Sequence, residues 1–168
     1  MARNFMCTKT DPVVETKAGK LRGFQLDGTY AFHGVKYADA KRFHQPTPIE
    51  PWEGIKNALA YGYVCPMLQQ DQPSNELMVP HRYWPLDENC QYLNIWTQHL
   101  DPNAKKPVLV WLHGGGFAAG SSIEHIAYEG ENMSKYGDVV VISLNHRLNI
   151  LGYLDLSPFG EEYKNSGN

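Results

Sequence analysis

The sequence predicts an α/β fold in which antiparallel hairpins lead into a mixed, mostly parallel sheet. Three observations carry this expectation. Apolar-alternating pieces parted by the turns Ala18-Gly19 and Asp27-Gly28 lie within the first 40 residues. Two continuous apolar runs follow later, "PVLVWLH" and "DVVVISLNHRL". A short helical segment, "EGENMSKYG", lies between them. Strand, helix and strand in that order form a βαβ unit, and such a unit makes its two strands parallel.

Taken in order, residues 1–12 carry no pattern and are expected to be disordered, with Cys7 a free thiol among them. "PVVETKAG", "KLRGFQLDG" and "TYAFHGVKYA" read as strands, and Asp-Gly is a strong hairpin signal. From Lys41 to Trp52 the chain is broken by proline, and "WEGIKNALAYG" has a turn-like or briefly helical character. Residues 66–89 form a long polar loop, of a length that is usually functional or mobile. "CQYLNIWT" returns to strand character, and Asp101-Pro102-Asn103 is a turn. "PVLVWLH" has the continuous apolar character of a strand buried on both faces. The helix of "EGENMSKYG" is expected to end on Gly137. Strands outnumber the helices available to cover a doubly wound sheet.

The 168 residues suffice for one domain with a core. A net charge of −3, with 42% apolar and 20% charged residues, gives no reason to expect nucleic acid or an anionic membrane as partner. No apolar run resembles a signal peptide or a membrane span, so the expected compartment is the cytoplasm. Cys65 and Cys90 bracket 24 residues. They are free thiols in a reducing cell or, in a secreted protein, a disulfide closing that loop.

The chemistry concentrates in "VLVWLHGGGFAAGSS", Val108 to Ser122. Loops leaving the C-terminal end of a parallel strand are where open α/β sheets bind ligands. Three glycines there bare successive backbone N–H groups, which form a concavity for negative charge. The anion is either a phosphate or the oxyanion of an attacked acyl carbonyl. Gly114 to Ala119 satisfies the relaxed dinucleotide pattern G-x-G-x-x-A, with Asp138 downstream, but "AAGSSIEH" delays the helix that this pattern requires. No Lys-Ser/Thr follows, which excludes a P-loop. The oxyanion reading fits better, since HGGG-type loops of esterases donate such an N–H. The histidines 33, 44, 81, 99, 113, 125 and 146 show no metal-ligand spacing, and no metal or cofactor is expected. His113 is expected to shape the glycine loop rather than to act as acid or base. Asn132-Met133-Ser134 is a glycosylation sequon, meaningful only in a secreted protein. Met78, Tyr83 and Trp84 are candidates for substrate contact from the long loop, or simply pack it.

Several motifs together resemble the type-B carboxylesterases and cholinesterases, of the α/β-hydrolase fold. They are "FHGVKYA" with "KRF" and "PWEG", then "ENCQYLNIW", "PVLVWLHGGGFAAGS" and "VVVISLNHRLNILGYL". The resemblance runs from about Val13 to Asn168 and implies the N-terminal portion of a single, here incomplete, α/β-hydrolase domain. It implies that Gly115 and Gly116 supply the oxyanion hole, and that Gly114 and Phe117 contact substrate, with Phe117 lining the acyl pocket. It further implies a Cys65–Cys90 disulfide whose loop lips the active-site gorge, an Arg42–Glu88 ion pair, and a structural Arg147 with its acidic partner beyond Asn168. Asn89 replaces an aspartate of the family pattern, Asp39-Ala40 a Pro-Pro, and His146 a common tyrosine. The last two changes are expected not to touch the chemistry. No G-x-S-x-G occurs around the serines at 74, 121, 122, 134, 143, 157 and 166. The resemblance therefore implies that nucleophile, acid and histidine lie outside these residues. The expected partners are an ester substrate and the remainder of the hydrolase fold. The alternative is a non-catalytic interaction or adhesion module of cholinesterase type.

Overall fold

The computed structural model describes residues 3–67 and 82–167. Eleven strands and two α-helices form a mixed α/β architecture. The strands are β1 (Phe5–Met6), β2 (Val13–Glu15), β3 (Lys20–Arg22), β4 (Phe24–Leu26), β5 (Thr29–Lys36), β6 (Ala38–Asp39), β7 (Thr47–Pro48), β8 (Ile55–Asn57), β9 (Tyr92–Thr97), β10 (Val108–Leu112) and β11 (Val140–Leu144). The helices are α1 (Glu131–Gly137) and α2 (Asn149–Tyr153).

The main sheet has the order β1-β4-β5-β9-β11-β10. Four of its five pairings are antiparallel, and only β10 with β11 is parallel. The sheet is thus mostly antiparallel, where a mostly parallel one was expected. The cause is the placement of β9, which inserts between the hairpin strand β5 and β11 and runs against both. A single βαβ crossover, β10-α1-β11, remains. As expected, Asp27-Gly28 closes the hairpin of β4 and β5, with Asp27 at φ 48° and Gly28 at φ 88°. The segment read as turn-like or helical contains β8, which lies parallel to β3 in a three-stranded sheet with β2.

Residues 3–6, within the stretch expected to be disordered, are anchored. β1 pairs with β4, the Asp27 amide donates to the Asn4 carbonyl at 2.9 Å, and Phe5 stacks on Phe24. Arg3 adds a bridge from Asp27 to Glu131 on α1. Helix α1 ends on Gly137 as expected, with Asp138 rather than Gly137 in the left-handed cap conformation. β10 departs furthest from expectation. All five of its residues are exposed, by 36 to 63%, although their composition is that of a strand covered on both faces.

Leu21, Phe32 and Ala58 form one core cluster, with Val14, Tyr30, Val35, Trp52 and Ile95 packed against it. On the same strand as Phe32, His33 sits among aromatic rings. Tyr61 stacks on it at 4.4 Å, and Phe24 and Trp96 meet it edge-on. Its Nε2 is buried without a partner among the described residues. Burial pushes its pKa down to about 4, with Glu129 opposing and Arg82 assisting. Its native form is therefore neutral, and the unfolded chain takes up a proton first as pH falls. The associated stability is complete above pH 6.5 and is lost as pH drops towards 4, by about 3 kcal/mol at pH 4. Denaturant unfolding at pH 7 and pH 4 is expected to show this loss in the wild type and a smaller one in H33F. An equal loss in both would refute it.

Candidate functional site

Residues 113–120 leave the C-terminal end of β10, and the chain that continues past β11 supports them from below. The Ala118 and Ala119 amides both donate to the Gly115 carbonyl at 3.1 Å, which turns the loop back on itself. The Asn149 amide donates to the Phe117 carbonyl at 2.7 Å. Tyr153 on α2 meets the Phe117 ring edge-on at 5.2 Å. At the far end the Gly120 amide points to Met67 Sδ at 3.5 Å, and the Ser121 amide to Glu124 Oε2 at 3.2 Å.

Gly115, Gly116 and Phe117 all have positive φ, at 126°, 60° and 64°. A Cβ on Gly115 would lie 1.9 Å from the Ala119 carbonyl oxygen, so no side chain fits there. Gly116 has open space beside it, and only its backbone conformation asks for glycine. Among the described residues, no acceptor engages the N–H of Gly114, Gly115 or Gly116. Such bare amides at a strand end suit an anion. Phe117 is 70% exposed.

His113 shapes this loop through its Nδ1, which lies 2.8 Å from the Gly114 carbonyl oxygen. Its ring stacks on His146 at 4.9 Å with an interplanar angle of 28°. Sequence reasoning placed His146 away from the chemistry, but the fold sets it against the histidine that leads into the glycines. Burial, and secondly the neighbouring His113, hold the His146 pKa below the usual imidazole value.

A buried polar network underlies the site, and sequence reasoning missed it. Asn94 on β9 accepts the Gly34 amide at 3.0 Å and donates towards Ser122 and Ser143, both at 3.3 Å. Asn145, just past β11, accepts the Ser122 amide at 2.8 Å and donates to the Tyr63 carbonyl at 3.1 Å. The available signal was an asparagine inside each apolar run, "QYLNIW" and "VVVISLNH". A buried amide side chain needs partners on both its atoms.

Cys65 and Cys90 come together in the core with Leu148, and both are free thiols in this structure. Cys65 Sγ accepts the Leu148 amide at 3.1 Å. The hydrogen bond between the two thiols draws Cys65 down and, with burial, pushes Cys90 up. Arg42 and Glu88 meet in a two-pronged ion pair, with Nε to Oε2 at 2.7 Å. That pair raises the Arg42 pKa and lowers that of Glu88. Arg147 is buried and donates to the Lys41 carbonyl at 3.1 Å. Trp84 lines a cavity of about 360 Å³ with Tyr61, Tyr63 and Tyr92. Residues 68–81 of the long loop, Met78 included, lie outside the described residues. Among the described residues no three His, Cys, Asp or Glu side chains group as metal ligands, and no helix is long and apolar enough to cross a membrane.

Two departures from the family pattern meet in space. Asn89 Oδ1 accepts the Ala40 amide at 3.1 Å, and its Nδ2 donates to Asp39 Oδ1 at 3.0 Å. A proline at 40 would remove the first donor, and an aspartate at 89 would face a second carboxylate.

Residues 10–168 match the carboxylesterase family, and the chain belongs to that family. It is 36% identical over 162 residues to the para-nitrobenzyl esterase of Bacillus subtilis (strain 168), covering 94% of this chain and 32% of the relative. It is 36% identical over 161 residues to acetylcholinesterase of Gallus gallus, covering 87% of this chain and 20% of the relative. Among solved structures, a Clostridium hathewayi esterase that can hydrolyze aliphatic aromatic polyesters superposes with a TM-score of 0.94 at 65% identity. That match covers 99% of this chain and 33% of the esterase. The chain thus spans a third or less of the length of these relatives, and it corresponds to their N-terminal portion.

The Asn89–Asp39 contact generates a prediction. N89D is expected to lower stability by about 1 kcal/mol, because screening at the partly exposed Asp39 softens the repulsion. Adding D39N is expected to restore most of it. A double-mutant cycle in urea checks the coupling, and additive effects would show that the two residues act independently.

Proposed function

We propose that this chain supplies the oxyanion hole of a serine carboxylic-ester hydrolase. The observation that carries the reading is the pair of amides at Gly115 and Gly116 past the end of β10, which no acceptor engages among the described residues. In the reaction a serine Oγ attacks the carbonyl carbon of an uncharged ester, and a histidine takes its proton. The carbonyl oxygen becomes the oxyanion and accepts from the two amides. Collapse expels the alcohol, which carries the proton, and water then releases the acid by the same steps. Donors fixed before the charge develops need no reorganisation, and each is worth about 100- to 1000-fold in rate.

With no G-x-S-x-G in the sequence, the nucleophile, acid and histidine come from polypeptide outside these 168 residues. The bare apolar strand β10 fits this reading, because burying such side chains is worth about 1.5–3 kcal/mol each. A further part of the hydrolase fold is the natural cover for it. Phe117 and Gly114 face the acyl group. The names of the relatives favour small carboxylic esters, with mixed aliphatic–aromatic esters the first to try.

G115A and G116A, made in the intact protein, test the proposal with p-nitrophenyl acetate. In G115A the Cβ collides with the Ala119 carbonyl, and kcat is expected to fall about 100- to 1000-fold with KM little changed. G116A meets only the cost of its left-handed backbone, about 1–2 kcal/mol, and is expected to lose less activity. A folded G115A with wild-type kcat would refute the proposal. Turnover by the pure 168-residue chain would refute the placement of the nucleophile.

A further inference from the structure

We infer that His146 is a positioning residue for the glycine loop: its ring braces His113, which in turn holds the Gly114 carbonyl and so fixes the direction of the amides at Gly115 and Gly116. The inference rests on the oxyanion reading for its consequence, but not for its geometry.

A carbonyl oxygen only accepts, so the 2.8 Å contact from His113 Nδ1 to Gly114 puts the proton on Nδ1. Free imidazole favours the other tautomer, so the loop selects this one and needs the ring held in place. His146 does the holding. It lies flat against His113 at 4.9 Å and is itself half-buried, with its Nδ1 enclosed. Its backbone cannot drift, because the residue before it is fixed by Asn145. That side chain bonds Ser122 and Tyr63, and its amide donates to the Tyr92 carbonyl at 2.8 Å. Two residues on, the Leu148 amide is bound by Cys65, and after it Asn149 takes the Phe117 carbonyl. The 145–149 segment thus grips the loop at both ends of its glycine run, through a ring at 146 and an amide at 149.

Burial keeps His146 neutral near pH 7, so the two rings meet without charge repulsion. The Glu124 carboxylate and the His113 ring both border Gly120, and Arg147 lies next in the chain to His146. Glu124 is engaged by the Ser121 amide, and Arg147 points its guanidinium at the Lys41 carbonyl. His146 Nδ1 has no partner among the described residues, so the contact that matters is the face of the ring rather than a hydrogen bond.

Histidine-labelled intact protein, followed by NMR across pH 8 to 4.5, tests the inference. Wild type is expected to show His113 as the Nδ1–H tautomer, and H146F to retain it through the aromatic face. H146A is expected to shift His113 towards Nε2–H and to move the Gly115 and Gly116 amide signals. In the ester assay H146A is expected to lower kcat about ten- to a hundredfold at constant KM. His113 as Nε2–H in the wild type overturns the inference even if H146A does not fold. A changed tautomer with unchanged ester turnover upholds the brace and refutes the oxyanion reading instead.

Discussion

Two buried asparagines organise this part of the molecule. Asn94 and Asn145 each place a primary amide where no water reaches, and every hydrogen bond they make joins separate pieces of chain. Asn94 ties the bulge in β5 to β9, β11 and the turn at Ser122. Asn145 ties the end of β11 to that same turn and to Tyr63. An unsatisfied amide at such a depth would cost about 1–3 kcal/mol for each lost partner. The network therefore holds only when all these segments are in register, and apolar packing alone does not impose such a condition. The glycine loop inherits its position from it.

Above that network the loop is built from backbone rather than side chains. Gly115, Gly116 and Phe117 have positive φ, and the Gly115 carbonyl takes the Ala118 and Ala119 amides, while no acceptor among the described residues takes those of Gly115 and Gly116. Fixed dipoles of this kind present partial positive charge without a cation whose protonation varies with pH. Partial burial, and secondly His113, hold the His146 pKa below the usual imidazole value. Charged pairs such as Arg42–Glu88 and Arg82–Glu129 stand elsewhere on the described surface. The peptide groups of the loop thus contribute a field whose strength depends on geometry.

What could be read from the sequence divides along a physical line. Local signals survived folding. Asp27-Gly28 made its hairpin, "VLVWL" and "VVISL" became strands, and "ENMSKYG" became a helix between them. The glycine run was legible because three residues without Cβ at a strand end are rare without cause. Non-local pairing was not legible. Nothing in "IKN" announces a parallel partner 35 residues earlier, and nothing in "YLNIWT" says that it will run against both its neighbours. The apolar character of β10 predicted burial on both faces, but all five of its residues are exposed. Asn94, Asn145 and His146 escaped because each looks ordinary alone. Their roles exist only once separate strands bring them to a shared partner.

The contact between Asn89 and the Asp39-Ala40 pair reaches beyond stability. Positions 40 and 89 stand far apart in sequence yet share one amide, so neither can be inherited separately without loss. Recombination with a donor carrying proline at 40 and aspartate at 89 will fare badly at any breakpoint between them, and well at breakpoints outside them. The segment from Ala40 to Asn89 is therefore a natural cassette for shuffled libraries of these esterases.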